Sequence, residues 1–476
     1  MTHVVVIGAG IAGLSAAYEL TGGPSAVEGT TVTVLDAERL GGKLLSSAIG
    51  GEVVDVGPDG FLARRPEAVA LVGELGADAE LEPVGTQGAW VFTRGRLRRL
   101  PQGLALGVPT RLKDLRSRDV VGLLGVGGAL RAGRDLVAPR PARRSALSDR
   151  AIGPLVADKL GQRVVDVLVD PLVGGIHAGR VKDLSAAAVY PSLLSAGQRR
   201  GSLMRSLRAD SSGAAATADG PAFFTLHHGV GDLPRILEKV LVDRGVDCRA
   251  GCAVTSLHRG RAGEQRWSVE HQDGSLTADA VVIATPPPAT STLLGPLDAD
   301  AASLVATIDA AGVAVITLEF DAESCSLPDG TGLLVPSGTP RGDATFLTSA
   351  VTFLDRKWPH LARDGRVLLR ASSGRIDDRR WEELDDAAIV TRVCEELHDL
   401  LGVTTSPTAS LVTRWPASFP QYRVNHLVRV DGIEAAASAL GGVAVAGAAY
   451  RGVGIPACIA SGRAAARQVR NWLAQS

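Results

Sequence analysis

The chain has 476 residues, of which 45% are hydrophobic and 21% charged, with a formal net charge of −1. That length exceeds what one simple hydrophobic core supports and predicts two or three domains, while the near-neutral charge removes the general electrostatic case for nucleic-acid binding. Five scattered cysteines (Cys248, Cys252, Cys325, Cys394, Cys458), with no CxxC and no Cys/His cluster at zinc spacing, indicate neither a disulfide framework nor a metal site and suit a reducing cytoplasm.

In chain order, the first signal is "HVVVIGAGIAGLSAAYEL" at 3–20. Val4, Val5, Val6 and Ile7 predict a strand buried on both faces, with no basic leader or cleavage site that would make it a signal peptide. No apolar run approaches roughly 18 residues, so no membrane span is predicted. The strand leads into Gly8-Ala9-Gly10-Ile11-Ala12-Gly13 and a helix through Leu20, which is GxGxxG in the context its chemistry needs. Gly8 makes the tight turn, Gly10 lets backbone approach a pyrophosphate, Gly13 lets helix pack on strand, and the helix N-terminus offers free N–H groups to phosphate. A second strand, "TVTVLDA", ends at Asp36, placed to accept from an adenosine ribose hydroxyl, with Ala37 next to it. Dinucleotide binding follows from this set.

Next come "DAERLGGKLLS", with Gly41-Gly42-Lys43, and "GGEVVDVGPDGF", with Gly57-Pro58-Asp59-Gly60. Here the sequence resembles the flavin amine oxidase superfamily, whose second motif is an acid, a short spacer and a Gly pair followed by Lys or Arg. The resemblance implies FAD, with Gly42 and Lys43 beside the diphosphate and ribityl chain and the Gly57–Gly60 loop near the isoalloxazine. In "VDCRAGCAVTSLHRG", Val254 matches the position where that family's backbone meets adenine. The strand in "WSVEHQDGSLTADAVVIATPPP" closes the dinucleotide sheet. The ending at 441–472, "GGVAVAGAAYRGVGIPACIASGRAAARQVRNW", repeats the strand, glycine turn and helix of the opening. By the same resemblance Gly447, Val453, Gly454 and Ile455 lie against the flavin, and the helix dipole favours negative charge on the reduced ring.

The implied fold is α/β, with a discontinuous Rossmann-like FAD-binding domain at 1–88, 222–292 and 436–476. A mainly helical excursion occupies 89–221, and a mixed α+β substrate domain occupies 293–435. Between Arg94 and Arg144 stand thirteen Arg or Lys against three Asp. A solvated face explains such a run, as does attraction of an anionic substrate, an anionic membrane surface or a pathway partner. The stretch "RADSSGAAATADG" reads as a loop.

Within the superfamily the resemblance sharpens to the porphyrinogen oxidases and specifically to the Gram-positive coproporphyrinogen III oxidases. It is carried over nearly the whole chain by "VVDVLVDPLVGGIHAGRVKDLSAAAVYPSL", "DRKWPHLARDGRVLLRASSGR", "VTRWPASFPQYRVNHLVRV" and "GAAYRGVGIP". Departures are Ala448-Ala449-Tyr450, Asn425 and Gln102, the last removing one propionate contact. The resemblance implies Trp415 against a non-covalent FAD, since no Cys stands in the closing turn before Cys458. It also implies a porphyrinogen substrate oxidised in the cytoplasm by six electrons, with dioxygen as acceptor and hydrogen peroxide as product, in haem biosynthesis. No acid/base pair is nominated, because hydride leaves an activated meso carbon and the protein's part is positioning; His227, His228 and His360 read as structural. Protoporphyrinogen IX stays open as substrate. A non-catalytic flavin-containing tetrapyrrole-binding protein is a further alternative, and amine oxidases and carotenoid desaturases share the scaffold.

Overall fold

In the computed structural model the described residues are 2–22, 29–86, 88–101, 103–137, 148–199, 201–214, 220–260 and 266–475. Gln102, most of the insertion at 21–29 and the end of the basic run, 138–144, lie outside them. Of the segment that reads as a loop before the second FAD-domain segment, residues up to 214 continue the helix Leu203–Ala214, and 215–219 lie outside the described residues.

Five parallel strands form the dinucleotide sheet: β1 (Thr2–Ile7), β2 (Thr30–Leu35), β3 (Asp247–Arg249), β4 (Ala280–Ile283) and β5 (Val443–Val445), in the order β3-β2-β1-β4-β5. Alternation within β1 divides its side chains between two cores, as a strand covered on both faces requires. Val4 and Val6 pack toward the helices α1 (Ile11–Thr21), Asp232–Asp243 and α2 (Ile455–Leu473). Val5 and Ile7 pack with Leu257, Trp267 and Val269 of an antiparallel three-stranded sheet, Val254–Arg259, Trp267–His271 and Gly274–Ala278. The two termini therefore meet in one sheet, and α1 and α2 lie side by side. Gly462 is what permits their approach: an added Cβ there would overlap the carbonyl oxygen of Ala12.

A seven-stranded sheet forms the second layer system, in the order Ala409–Pro420, Ala310–Asp321, Arg366–Ser373, Thr348–Phe353, Gly332–Leu334, Trp90–Thr93 and Arg96–Arg99. Helix Asp386–Leu401 covers one face, started by the Asp385 carboxylate accepting from Ala388 N–H at 2.8 Å and ended by Gly402 at φ 73°. The stretch after 88, expected to be mainly helical, instead opens with the hairpin Trp90–Thr93 and Arg96–Arg99, which joins this sheet by a parallel pairing of Leu333 with Trp90. The helices begin at Leu112 and build their own core around Leu123, Ile152, Leu168 and Met204. Among the described residues no helix is long and apolar enough to cross a membrane.

Candidate functional site: two glycine turns on adjacent helices

Gly8 follows β1 at φ 101°, and an added Cβ would stand 2.7 Å from the Ala284 carbonyl oxygen. Gly13 is equally constrained, its Cβ position overlapping the Gly8 carbonyl oxygen. Gly10 differs. It is the N-cap of α1 without a side-chain cap, and an added Cβ would meet no protein atom within 4 Å. The first N–H groups of α1, including those of Ile11 and Ala12, therefore have no partner from a capping side chain and border a cradle that any side chain at Gly10 would fill.

Asp36 holds this turn from the end of β2. Its Oδ2 accepts from Ala9 N–H at 2.7 Å, and its Oδ1 accepts from Glu38 and Arg39 N–H at 2.9 and 3.2 Å. The neighbouring Ala37 is exposed. Cys252 N–H donates to Asp36 O at 2.7 Å and Gly251 N–H to Glu38 O at 3.2 Å, which brings the start of the Val254 strand alongside.

The second glycine pair leans on the first turn: Gly41 N–H donates to Ala9 O at 2.8 Å, and the Gly42 Cβ position would lie 3.1 Å from Gly10 Cα. Arg39 Nη2 donates to Gly42 O at 2.6 Å, and its guanidinium sits 5.6 Å from the centre of the Trp415 ring. Trp415 Nε1 donates to Val56 O at 2.8 Å, and the Lys43 ammonium donates to Ser418 O. Burial lowers the Lys43 pKa, with Cys458 opposing. Gly57 is fixed by contact, since its Cβ would overlap Lys43 O, and Gly60 by Trp358 Cζ2, 2.7 Å from the corresponding position. Between them Pro58 is exposed and Asp59 buried.

The closing turn is held from a different element. Gly452 N–H donates to Tyr422 Oη at 2.8 Å, and that hydroxyl donates to Ala448 O at 2.6 Å. The Tyr422 ring stacks on His426 with centroids 3.9 Å apart, and His426 Nε2 donates to Tyr450 O at 2.8 Å. Burial pushes the His426 imidazole down to about 4, so it serves as a neutral spacer at ordinary pH. Gly447, at φ 122°, donates its N–H to Ser461 Oγ at 3.0 Å, and Gly454 is the exposed N-cap of α2 ahead of the buried Ile455, with Val453 half-buried before it. Gly462, the contact with Ala12, lies eight residues beyond Gly454. At 1.5 Å per residue the positive end of α2 stands about 12 Å along that helix from its contact with α1.

Residues 11–470 match the family described as flavin containing amine oxidoreductase. The chain belongs to that family. As a flavin amine oxidoreductase it is an oxidoreductase with FAD as cofactor, and the glycine cradle with its unfilled Gly10 position fits such a group. The coproporphyrinogen III oxidase of Bacillus subtilis is 33% identical, covering 99% of this chain and 98% of its own length. That of Mycobacterium leprae is 32% identical over 96% of each chain. Human protoporphyrinogen oxidase is 30% identical over 98% of each. Among solved structures, one from Exiguobacterium sp. 255-15, named provisionally as a protoporphyrinogen oxidase, superposes with a TM-score of 0.87 at 28% identity over 99% of both chains. A reduced UDP-galactopyranose mutase shares the fold alone, with a TM-score of 0.72 at 12% identity.

Three groups of this flavin oxidoreductase were not visible as sites in its sequence. Cys252 Sγ lies 3.2 Å from His271 Nδ1, which also accepts from Asp273 N–H at 3.3 Å. With the Asp273 carboxylate these donors lie within 4.8 Å of one another, although 18 positions separate the two buried ones in the chain. The Tyr422–His426 relay described above is the second group. Asp55 is the third: 7% exposed, it accepts from the Ser46 hydroxyl at 2.8 Å and from Val230 and Gly231 N–H at 2.9 and 3.1 Å, tying the hairpin of Ser46–Ile49 and Glu52–Asp55 to the start of helix Asp232–Asp243.

Burial, with Asp59 adding, pushes the Asp55 carboxyl up to about 6 against those hydrogen bonds. A folded-state pKa above the unfolded 3.8 means that the native protein binds the extra proton, so this contribution is complete below pH 3.8 and lost as pH rises through about 6. At 1.36 kcal/mol per unit it amounts to about 3 kcal/mol. Unfolding measured from pH 4 to 7 should show a flatter decline for Asp55→Asn than for the unsubstituted protein; parallel curves would assign the pH dependence elsewhere.

Proposed function

We propose that this flavoprotein oxidises coproporphyrinogen III to coproporphyrin III in the cytoplasm as a step of haem biosynthesis. Six electrons pass to dioxygen in three cycles, giving hydrogen peroxide. What carries the reading is near-full-length similarity to proteins of that name from several bacteria, joined to the pair of glycine turns. We assign to the FAD domain 1–88, 222–292 and 436–476, leaving 89–221 as the excursion and 293–435 for substrate.

Bound FAD supplies a hydride acceptor and a route for electrons to dioxygen. The chain's own residues have other tasks. Gly8, Ala9, Gly10, Ile11, Ala12 and Gly13 receive the pyrophosphate. Asp36 keeps acceptor capacity for ribose, because three N–H contacts occupy fewer than the roughly four lone-pair sites of a carboxylate. Ala37 and Val254 flank adenine, and Gly42 and Lys43 the ribityl side. Gly57, Pro58, Asp59, Gly60 and Trp415 support one side of the isoalloxazine. Gly447, Val453, Gly454 and Ile455 form the other wall, where the positive end of α2 favours negative charge on the reduced ring. Attachment is non-covalent: Cys458 lies inside α2, buried, and burial pushes its thiol up to about 11. The basic stretch 94–144, whose helix Arg118–Val137 exposes Val126 and Leu130, is the surface we assign to peripheral contact with an anionic membrane or a pathway partner.

The test is aerobic oxidation by purified FAD-loaded protein, following porphyrin fluorescence and peroxide. Coproporphyrinogen III should be consumed with three peroxides per porphyrin and a higher kcat/KM than protoporphyrinogen IX. The reverse preference would move the assignment to protoporphyrinogen oxidase. Binding of porphyrin without turnover of either substrate would make the chain a flavin-containing tetrapyrrole carrier.

A further inference from the structure

Arg375 stands where strand Arg366–Ser373 leaves the seven-stranded sheet and meets the helical excursion. It is 5% exposed, and Nη1 donates to Asp170 Oδ2 and to Gly179 O, both at 3.4 Å. Asp170 is shared: its Oδ1 accepts from Val181 N–H at 3.1 Å and lies 3.8 Å from Arg180 Nε. One carboxylate thus serves two guanidinium groups. The other cations of this wall are matched, Arg380 to Asp378 and Arg379 to Glu382, each at 2.6 Å, while Arg180 Nη1 reaches Asp377 at 3.4 Å and the Ser337 hydroxyl.

Arg375 Nη2 has no partner. Among the described residues it is the terminal guanidinium nitrogen that is buried and unsatisfied, and Arg180 Nε beside it is unsatisfied as well. Leaving a buried donor unpaired carries a penalty, which an acceptor from outside the chain would remove. Two cavities meet at this residue. One, about 410 Å³, is lined by Arg180, Ser337, Thr348 and Gly374. The other, about 540 Å³, is lined by Gly312, Ile376, Pro416 and Ala417, the last two directly following Trp415. Arg375 lines both, and so stands between a polar recess and the strand carrying the tryptophan assigned to the flavin.

We propose that Arg375 Nη2, with Arg180 beside it, receives a carboxylate arm of the macrocyclic substrate; this rests on the porphyrinogen reading above. The contact joins a guanidinium to a carboxylate, the pairing in which a guanidinium is most effective. It is made in the ground state and kept in the transition state, so it acts on KM more than on kcat.

The test uses FAD-loaded Arg375→Gln and Arg375→Lys in the full chain. For Arg375→Gln, KM for coproporphyrinogen III should rise about tenfold to a hundredfold with kcat within about twofold, and Arg375→Lys should restore most of the loss. The tetramethyl ester of coproporphyrinogen III, which has no carboxylates, should give the same KM with all three proteins in the same detergent. Equilibrium binding of coproporphyrin III, read by quenching of its fluorescence, should weaken by the same factor in Arg375→Gln. That readout separates the two readings: coproporphyrin binding that depends on Arg375 without turnover defeats the oxidase assignment alone. An unchanged KM and unchanged binding overturn the Arg375 assignment. Equal losses for acid and ester, or loss of fold in the Lys and Gln variants alike, overturn it too and leave Arg375 as a structural tie to Asp170.

Discussion

Gly10→Val is expected to fold like the unsubstituted protein and to purify without its yellow cofactor. At most glycines of the site a new Cβ would strike the chain itself: Gly13 and Gly57 meet backbone oxygens, and Gly8 and Gly60 meet backbone or tryptophan atoms within 3 Å. Gly10 meets nothing, and its φ of −65° with ψ of 172° is a conformation that valine adopts readily. The protein loses little by the substitution. The ligand loses the approach to the first N–H groups of α1, and with it several hydrogen bonds to charged phosphate oxygens, each contributing about 1.5–3 kcal/mol. FAD affinity should fall by about a hundredfold or more. Because bound FAD itself raises the melting temperature, the comparison is between apo forms: equal melting of the two apo proteins, with flavin absorbance lost only in the variant, is the expected pattern. Flavin retained at the usual level would mean that the pyrophosphate does not lie over Gly10, and the first turn would leave the site.

That experiment rests on features that local sequence carries well. The strand, the GxGxxG turn, the acid at the end of the next strand and the mirror arrangement at 441–472 are short-range patterns whose chemistry is decided by neighbours a few residues apart. What sequence carries poorly is partnership across the chain. The hairpin Trp90–Thr93 and Arg96–Arg99 falls, by sequence alone, at the start of a helical excursion, because nothing near it announces a parallel partner at Gly332–Leu334. Asp36 was legible as a ligand-facing acid but not as the clamp on Ala9 N–H that shapes the turn before any ligand arrives. Tyr422 and His426 stood in a family-like stretch, yet their stacking beneath the closing turn depends on a bend at Asn425, which takes φ 66°. Arg375 closes a family-like stretch, yet nothing in that stretch marks its free donor, since an unpaired donor is defined by what fails to surround it. The glycine-rich frame of the site is therefore written locally, and its supports come from sequence positions that only the fold brings together.

Asp59→Ala should be the most destabilising single change at the site, and the reason is one of those long-range supports. The Asp59 carboxylate accepts from Lys357 Nζ at 2.9 Å on both oxygens and from Trp358 Nε1 at 3.3 Å, and Arg370 Nη2 lies 3.4 Å away. Its side chain is 12% exposed, that of Arg370 12% and that of Lys357 19%. Burial works against the charged carboxylate, but Arg370 and Lys357 outweigh it and hold the carboxyl well below its ordinary range. Removing the acid leaves two cations with little water and no counter-charge, a change that typically costs about 3–5 kcal/mol. Since a depressed carboxyl contributes its stability above the unfolded value of 3.8 and loses it only as pH falls toward the folded one, the full loss should appear at neutral pH and shrink in acid. The same ion cluster joins the Gly57–Gly60 loop to the strand Arg366–Ser373, with Arg370 Nη1 also reaching Gly57 O at 3.3 Å. Flavin retention should therefore fall together with stability. Urea unfolding at pH 7 and at about pH 2.5, below the unfolded value, measures the first and flavin content the second. Replacing Arg370 by Met in the Asp59→Ala background should recover part of the loss, because it removes one stranded charge. A loss below about 1 kcal/mol, or a double variant less stable than the single, would show that water reaches these cations and that the loop is held by packing against Trp358 instead.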